Sequence, residues 1–239
     1  MRLATNNHYR ALRDRVVPYR VLMPRILQIA WCLVFCSSWA WPQTEAAVVE
    51  FSIDFPSSQP EHYSVRVQSD GSAHYESTGR LSDESDVTES FDHDFKVSAE
   101  TRQRIFDLAA KANYFQKDVD SHHKGLAFTG KKILRYKDSQ RSGEATYNYS
   151  ANAAVQALTS LMQSLSSTLE FGHRLHYDHQ YQKLALDEEL RRMEELARAN
   201  ELVELSAIQQ ILNEIVADPS VMNVARARGQ RLLQSAGLH

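Results

Sequence analysis

Three histidines spaced three residues apart are the strongest candidates for chemistry in this chain of 239 residues. His173, His176 and His179 lie in the segment FGHRLHYDHQ. On a helix, positions three apart are separated by about 60° around the axis, so two neighbouring imidazoles could share one zinc or copper ion. The competing interpretation is a solvated junction between two parts of the chain. We favour the junction and predict no metal ligand here.

A second polar cluster lies in the segment DVDSHH. Asp118, Asp120, His122 and His123 bring carboxylates and imidazoles close together in sequence. The segment lacks the glycine and the terminal glutamate of a calcium-binding loop. We therefore interpret it as a polar surface loop, with metal binding as the alternative.

The chain carries none of the short motifs that specify a reaction. There is no Gly-x-Ser-x-Gly elbow, no His-Glu-x-x-His pair and no phosphate-binding loop. His93 lies between Phe91 and Phe95 on the apolar side of an alternating segment, which is typical of a hydrogen-bonded interior or boundary histidine. We accordingly assign no catalytic residue and no cofactor.

Both cysteines of the chain, Cys32 and Cys36, lie within or beside an apolar run that follows a basic segment. Small residues at Ser38 and Ala40 complete the pattern of a secretory signal over residues 1–40, cleaved after Ala40; Met23 is an alternative start. The run is short for a bilayer-spanning helix, so an uncleaved anchor is the less favoured alternative. Lipidation at Cys36 is disfavoured because the bulky Phe35 precedes it.

Export would leave an acidic remainder. Six of the 27 basic residues but only one of the 30 acidic residues precede position 41, so residues 41–239 hold 21 basic and 29 acidic side chains, a net charge of −8. Such a surface repels phosphate backbones, which argues against a nucleic-acid partner. We expect membrane contact only through an uncleaved N-terminal segment, and a location in the periplasm or outside the cell.

Residues 41–172 show the alternation of strands, interrupted by two helical patterns. Apolar residues alternate with polar ones over 48–55, 63–67 and 91–97, and Asp70-Gly71 supplies hairpin turn chemistry. A later pair, KKILRYKD and EATYNYS, predicts a second hairpin. Ser98 is a candidate cap for one helix, and Ser150 or Asn152 for the other. This order predicts an α+β domain with an antiparallel sheet of about six strands covered by two helices.

Residues 61–171 resemble a family of small secreted or lipid-anchored bacterial domains of unknown function. The resemblance is carried by Tyr63-Ser64-Val65-Arg66-Val67, Asp70-Gly71, Tyr75, the helix at 99–112, Tyr114-Phe115 and Ile133-Leu134-Arg135-Tyr136. These are structural positions, so the resemblance implies a fold and an envelope location. It implies no catalytic residue.

The remaining residues, 173–239, predict a helical tail. Leu186, Leu190 and Met193 mark one amphipathic helix, Ser206 with Gln209 suggests a capping box, and Asp218-Pro219 suggests the start of a last helix. The apolar faces must pack either within the chain or against another envelope protein or a second copy. The leading hypothesis is a non-enzymatic exported module that binds a protein or peptide. The alternative is a metal-binding or hydrolytic periplasmic protein that uses the clustered histidines.

Overall fold

A computed structural model describes residues 46–56, 58–80 and 88–238. The predicted signal segment, its cleavage point after Ala40 and its alternative start at Met23 lie outside the described residues. So does most of the acidic loop that precedes the fourth strand.

One six-stranded antiparallel sheet organises the first half of the chain, as the sequence predicts. Its strands are β1 (Val48–Asp54), β2 (His62–Gln68), β3 (Ser72–Arg80), β4 (Thr88–Lys96), β5 (Lys131–Lys137) and β6 (Ser142–Tyr147). Their order across the sheet is β4-β3-β2-β1-β5-β6. Strands β4 and β6 are therefore the two edges.

Strict alternation of side chains makes β1 the centre of the covered face. Phe51 lies opposite Val65 of β2 and Leu134 of β5, and all three side chains are fully buried. Because successive side chains in a strand point to opposite faces, the intervening Glu50 projects to the other face. There it accepts hydrogen bonds from Arg66 and Arg135. One face of the sheet is thus apolar and the other polar.

Two helices cover the apolar face, which confirms the predicted α+β class. Helix α1 (Ala99–Lys111) begins after Ser98, whose hydroxyl accepts the Thr101 N–H at 3.2 Å. Helix α2 (Ala153–Tyr181) begins after Asn152, whose side-chain oxygen accepts the Ala154 N–H at 2.9 Å. Each side chain satisfies a backbone donor that has no partner within its helix, so the caps expected at Ser98 and Asn152 are confirmed.

Helix α2 is longer than its sequence pattern suggests. It runs for 29 residues and continues through Gly172, the position at which the sequence places the boundary between domain and tail. Residues 46–238 belong to one compact unit. Among the described helices, none is long and apolar enough to cross a bilayer.

The tail folds as three helices after α2. They are α3 (Leu186–Arg198), α4 (Gln209–Ala217) and α5 (Asn223–Ser235), with a 3-10 turn at Leu205–Ile208 before α4. Leu190, Met193, Leu212 and Ile215 are at most 1 % exposed. The apolar faces of the tail are thus buried within the chain, which was one of the two arrangements left open by the sequence.

Two helix starts in the tail differ from the sequence prediction. Ser206 does not form a capping box, because it lies inside the 3-10 turn and α4 begins after Ile208 without a side-chain cap. Asp218 does not start the last helix, because its carboxylate accepts the Ser220 N–H at 2.8 Å in a turn and α5 begins only at Asn223. In both places a local turn competes with the helix for the capping side chain.

The segment between α3 and α4 is hydrogen-bonded to both covering helices. Glu204 accepts the Ser98 N–H at 3.0 Å and the Ser98 hydroxyl at 2.6 Å, at the start of α1. The Thr168 hydroxyl of α2 donates to the Val203 carbonyl at 2.7 Å. These bonds fix the segment between α3 and α4 against both covering helices.

Candidate functional site: a groove beside strand β4

Edge strand β4 supplies one wall of the candidate site. Phe91, His93 and Phe95 share its inner face, and their rings are stacked in a row with centroids 6.1 and 6.2 Å apart. Phe95 is buried, whereas Phe91 and His93 are only partly buried. The sheet therefore ends on this side in an aromatic surface that other elements cover incompletely.

Helix α2 forms the floor beside this aromatic row. The His173 imidazole stacks on Phe91 with the ring centroids 4.1 Å apart and the planes 7° from parallel. Burial lowers the pKa of His173, because desolvation disfavours the imidazolium form. The imidazole therefore acts mainly as a flat apolar surface at this position.

Helix α4 and the 3-10 turn before it form the opposite wall. Ile208 and Ile211 close a cavity of about 300 Å³ against Phe91, Leu169 and Gly172. A Cβ atom on Gly172 would overlap Ile208, so the glycine allows the close approach of this wall to α2. The cavity is mostly apolar, with imidazoles and one carboxylate at its rim.

A second depression, which we call the channel, shares His93, Gln210 and Glu214 with the cavity and lies along the second half of β4. This channel, with a volume of about 740 Å³, runs between Asp94 and Lys96 of β4 on one side and α4 on the other. The side chains that α4 presents to it are Gln209, Gln210, Asn213 and Glu214. We call the cavity and the channel together the β4 groove. Its residues are Phe91, His93, Asp94, Phe95, Lys96, Leu169, Gly172, His173, His176, Ser206, Ile208, Gln209, Gln210, Ile211, Asn213 and Glu214.

The register of the sheet shows which backbone groups of β4 face this groove. The Val97 N–H donates to the Gly71 carbonyl at 3.0 Å, and His93 lies opposite Tyr75. In an antiparallel pair, hydrogen-bonded and non-hydrogen-bonded positions alternate, so the backbone groups of alternate residues point away from β3. These outward residues are Ser90, Asp92, Asp94 and Lys96.

The three histidines whose spacing could allow a shared metal ion lie in three different environments. His173 stacks on Phe91, His176 is exposed at the rim of the β4 groove, and His179 pairs with Asp218 through its Nε2 atom at 3.0 Å. Within residues 46–56, 58–80 and 88–238, no group of three or more His, Cys, Asp or Glu side chains is placed to hold a metal ion.

The DVDSHH segment is an exposed loop held by its own hydrogen bonds. Asp118 binds the His122 imidazole at 2.6 Å, which raises the pKa of His122 and lowers that of Asp118. Asp120 accepts the backbone N–H groups of His122 and Asn148 at 2.6 and 2.8 Å. His123 contacts the neighbouring Lys124 carbonyl at 3.2 Å. The carboxylates are thus occupied by loop and strand donors.

One cluster that the sequence did not reveal brings a serine, a lysine, a histidine and an aspartate together. The Lys183 ammonium donates to the Ser220 hydroxyl at 2.6 Å and to Asp218 at 2.7 Å. The Ser220 hydroxyl in turn donates to Asp218 at 2.7 Å. Because the Ser220 hydroxyl donates to Asp218, its hydrogen points at a carboxylate and not at His179, which is not the arrangement of an activated serine nucleophile. The hydrogen bonds of this cluster link the end of α2 to the turn after α4.

The β4 groove was also missed by the sequence analysis, although part of its signal is visible. The segment AIQQILNEI carries amide side chains at Gln209, Gln210 and Asn213, between the apolar positions. Amide side chains on one side of a helix can bind a peptide backbone. What the sequence could not show is that this helix lies beside the free edge of β4.

No protein-family model matches the chain, and no curated protein is significantly similar to it. The resemblance of residues 61–171 to small exported bacterial domains therefore stays a prediction about location.

Proposed function

We propose that this protein is an exported, non-enzymatic peptide-binding module that adds an extended peptide to the outer edge of β4, which no strand of the described residues pairs with. The observation that carries the proposal is the β4 groove itself. It is lined on one side by Asp94 and Lys96 of an edge strand and on the other by the amide residues Gln209 and Asn213 of α4.

The backbone of the edge strand determines the conformation of the bound peptide. An unpaired strand edge offers alternating N–H and C=O groups, which an added strand satisfies in register. On the far side of the channel, the amides of Gln209 and Asn213 can bind the other edge of that peptide. Gln210 is already engaged, since it donates to Glu214 at 2.9 Å. An extended chain is the ligand that has backbone groups on both edges.

The apolar cavity supplies an anchor for one side chain of the peptide. Ile208 and Ile211 are 5 % and 7 % exposed and lie at its wall. A cavity of about 300 Å³ accommodates a valine, leucine or similar side chain, and burying such a group contributes roughly 1.5–3 kcal/mol. Because alternate residues of a strand point to opposite faces, the neighbours of this anchor would face solvent beside the outer face of β4.

Charge favours a basic peptide over an acidic one. Asp92 and Asp94 are exposed on the outer face of β4, and Glu214 lies at the rim of the groove. Opposite charges on directly neighbouring strands stabilise pairing, whereas like charges oppose it. We therefore expect an alternating peptide whose solvent-facing residues are lysine or arginine.

The tail contributes to this function as a wall of the site. Its apolar stripes are buried within the chain, so the partner is not expected to bind them. Export itself rests on the N-terminal sequence pattern. N-terminal sequencing of protein secreted by its host would test it, with Trp41 expected as the first residue; an intact N-terminus on cytosolic protein would contradict it.

The binding proposal is tested with three labelled peptides of equal length. One alternates valine and lysine, one alternates valine and glutamate, and one is the lysine peptide interrupted by proline. With the full-length protein, fluorescence anisotropy should show saturable binding of the first peptide only. Proline removes a strand donor, so the third peptide tests whether backbone pairing is required.

A matched pair of variants tests the location. Asp94→Pro removes an outward N–H while leaving the bonds to β3 in place, and Asp94→Ala removes the same side chain without touching the backbone. We expect Asp94→Pro to weaken binding about tenfold or more relative to Asp94→Ala, because about two hydrogen bonds are lost or blocked. Equal affinity of the two variants, with circular dichroism showing both folded, would refute strand addition at β4.

A further inference from the structure

A second cavity lies between α2 and the residues that follow β1, namely Phe55, Ser58, Gln59 and Pro60. It has a volume of about 440 Å³. Its lining combines apolar surface from Ile53, Phe55 and Phe171 with polar groups from Tyr63, Ser166 and Glu170. None of the functions considered above uses this cavity.

Glu170 is the central polar group of this cavity. Its Oε1 atom accepts the Tyr75 hydroxyl at 2.7 Å and the Ser77 hydroxyl at 2.6 Å. Tyr75 is fully buried and Ser77 is 5 % exposed, so both donors are fixed by the sheet. The Tyr75 hydroxyl also contacts the Ser166 hydroxyl at 2.9 Å. The carboxylate is thus held in one orientation by neutral donors.

The charge of Glu170 is not matched by an ion pair among the described residues. The nearest cation on the same helix is Arg174, which lines the cavity. Its Nε donates to Glu189 of α3, and its guanidinium lies over the Phe171 ring at 4.6 Å. The Glu170 side chain is partly exposed, so a bound cation would gain a charge-assisted hydrogen bond to a carboxylate that the described cations leave unpaired.

The other lining groups suit an ammonium group with a short hydrocarbon chain. Tyr63 is 8 % exposed, and burial raises the pKa of its phenol well above the ordinary value, so it stays neutral. Its ring and that of Phe55 offer faces to a cation. The hydroxyls of Ser166 and Ser167 can accept hydrogen bonds from an ammonium. Ile53 and Phe171 provide the surface for methylene groups.

We propose that this cavity binds an alkylammonium group, with Glu170 as its counter-ion. The ammonium donates to the Glu170 carboxylate, and the hydrocarbon part packs on Ile53 and Phe55. Such a group can come from a free amine or from a lysine side chain of another polypeptide. This inference is independent of the β4 groove, because the two sites share no lining residue and this cavity uses Ile53 of β1 and Tyr63 of β2 where the groove uses β4.

The test compares four small probes on the isotopically labelled full-length protein. They are n-butylamine, its neutral counterpart n-butanol, the anion butyrate, and N-acetyl-lysine methylamide. We expect saturable chemical-shift changes at Ile53 and Ser167 with the two amines, and none with the alcohol or the anion. Tighter binding of the lysine derivative would identify a polypeptide side chain as the source, and tighter binding of butylamine a free amine. If neither amine binds at millimolar concentrations, the proposal is overturned.

Two variants test the role of Glu170. Glu170→Gln keeps an oxygen acceptor for Tyr75 and Ser77 but loses the charge, so it should fold and bind the amines at least about tenfold more weakly. Ser77→Ala keeps the charge and removes one structural hydrogen bond, so it should retain most of the affinity. Unchanged amine affinity in folded Glu170→Gln would show that the carboxylate has only a structural role.

Discussion

The covered face of the sheet is closed in different ways at its two flanks. At the β5–β6 flank, the 3-10 turn at Asn113–Phe115 lies directly on the strands. At the β4 flank, helix α4 stands beside the strand and leaves the β4 groove between them. The backbone of the 3-10 turn closes the β5–β6 flank, which we call the sealed flank. Side chains line the β4 flank, which we call the open flank.

The sealed flank requires an unusual backbone conformation. Asn113, Tyr114 and Phe115 have φ values of 52°, 53° and 59°, a left-handed region that costs roughly 1–2 kcal/mol for each non-glycine residue. The turn is held by packing, since Phe115 is fully buried and the Arg141 guanidinium lies 4.0 Å from the centre of the Tyr114 ring. Gly143 of β6 allows the approach, because a Cβ there would overlap the Tyr114 carbonyl oxygen.

The open flank shows the opposite arrangement. Gly172 also allows a close approach, but its neighbour is the Ile208 side chain and not a backbone carbonyl. Three consecutive non-glycine residues with positive φ lie at the sealed flank, whereas the turn at the open flank is preceded by one, Glu204, with φ 54°. The flank with adjustable side chains is the one available to a ligand.

The largest effect is expected from Gly143→Ala on the sealed flank. The added methyl meets a backbone carbonyl that cannot move without displacing the whole turn, so we expect a loss of about 3 kcal/mol in the free energy of unfolding. Urea denaturation measures it. Thr146→Ala, at an exposed position of the same strand, should change stability by about 0.5 kcal/mol or less. A loss at Gly143→Ala no larger than this control would show that the turn is not rigid.

The same substitution on the open flank should have a much smaller effect. Gly172→Ala forces Ile208 to move toward the groove, at a cost of about 1–2 kcal/mol, while alanine in a helix gains about 1 kcal/mol over glycine. The two contributions nearly cancel, so the net change should lie within about 1 kcal/mol of zero. Urea denaturation of Gly172→Ala and Gly143→Ala under the same conditions compares their free energies of unfolding. Equal losses in the two variants would show that the two flanks do not differ in rigidity.

The smallest expected effect is the pH response of His173. Its pKa lies below the unfolded value because of burial, so the unfolded state binds more protons and this residue destabilises the fold as pH falls through 6.5. His173→Phe keeps the stack on Phe91 and removes the titration. The loss of stability on going from pH 7.5 to pH 5.5 should be smaller in the variant by less than about 1 kcal/mol.

Thermal unfolding of both proteins at the two pH values measures this difference. His74 and His122, whose pKa values are raised by neighbouring carboxylates, titrate in both proteins and cancel in the comparison. An identical pH response of the two proteins would place His173 in a solvated environment.

Much of the sheet half could be predicted from the sequence, because local patterns determine it. The alternation around Phe51 specifies a half-buried strand, and Asp70-Gly71 specifies a hairpin. The caps at Ser98 and Asn152 are equally local, since each binds an N–H two or three residues later. Such signals do not depend on the rest of the fold.

The tail and the groove depend on contacts between distant residues, which no local pattern encodes. Serine is a residue type that favours helix N-caps, so Ser206 predicts a cap. The nearby Glu204 binds Ser98 instead, and Ser206 lies within a 3-10 turn. The position of Ile208 beside Gly172 is likewise a tertiary contact. The solvated junction predicted for His173, His176 and His179 is instead a continuous helix, and His173 stacks on Phe91 while His179 pairs with Asp218.

The contact between Glu204 and Ser98 also has a consequence for the order in which the molecule is completed. The two residues are 106 positions apart, so a growing polypeptide exposes the start of α1 long before the ribosome has made the carboxylate that binds it. Helix α1, the first of the described helices to be synthesised, is therefore among the last to be completed, and a prematurely terminated chain lacks the carboxylate that binds its first turn.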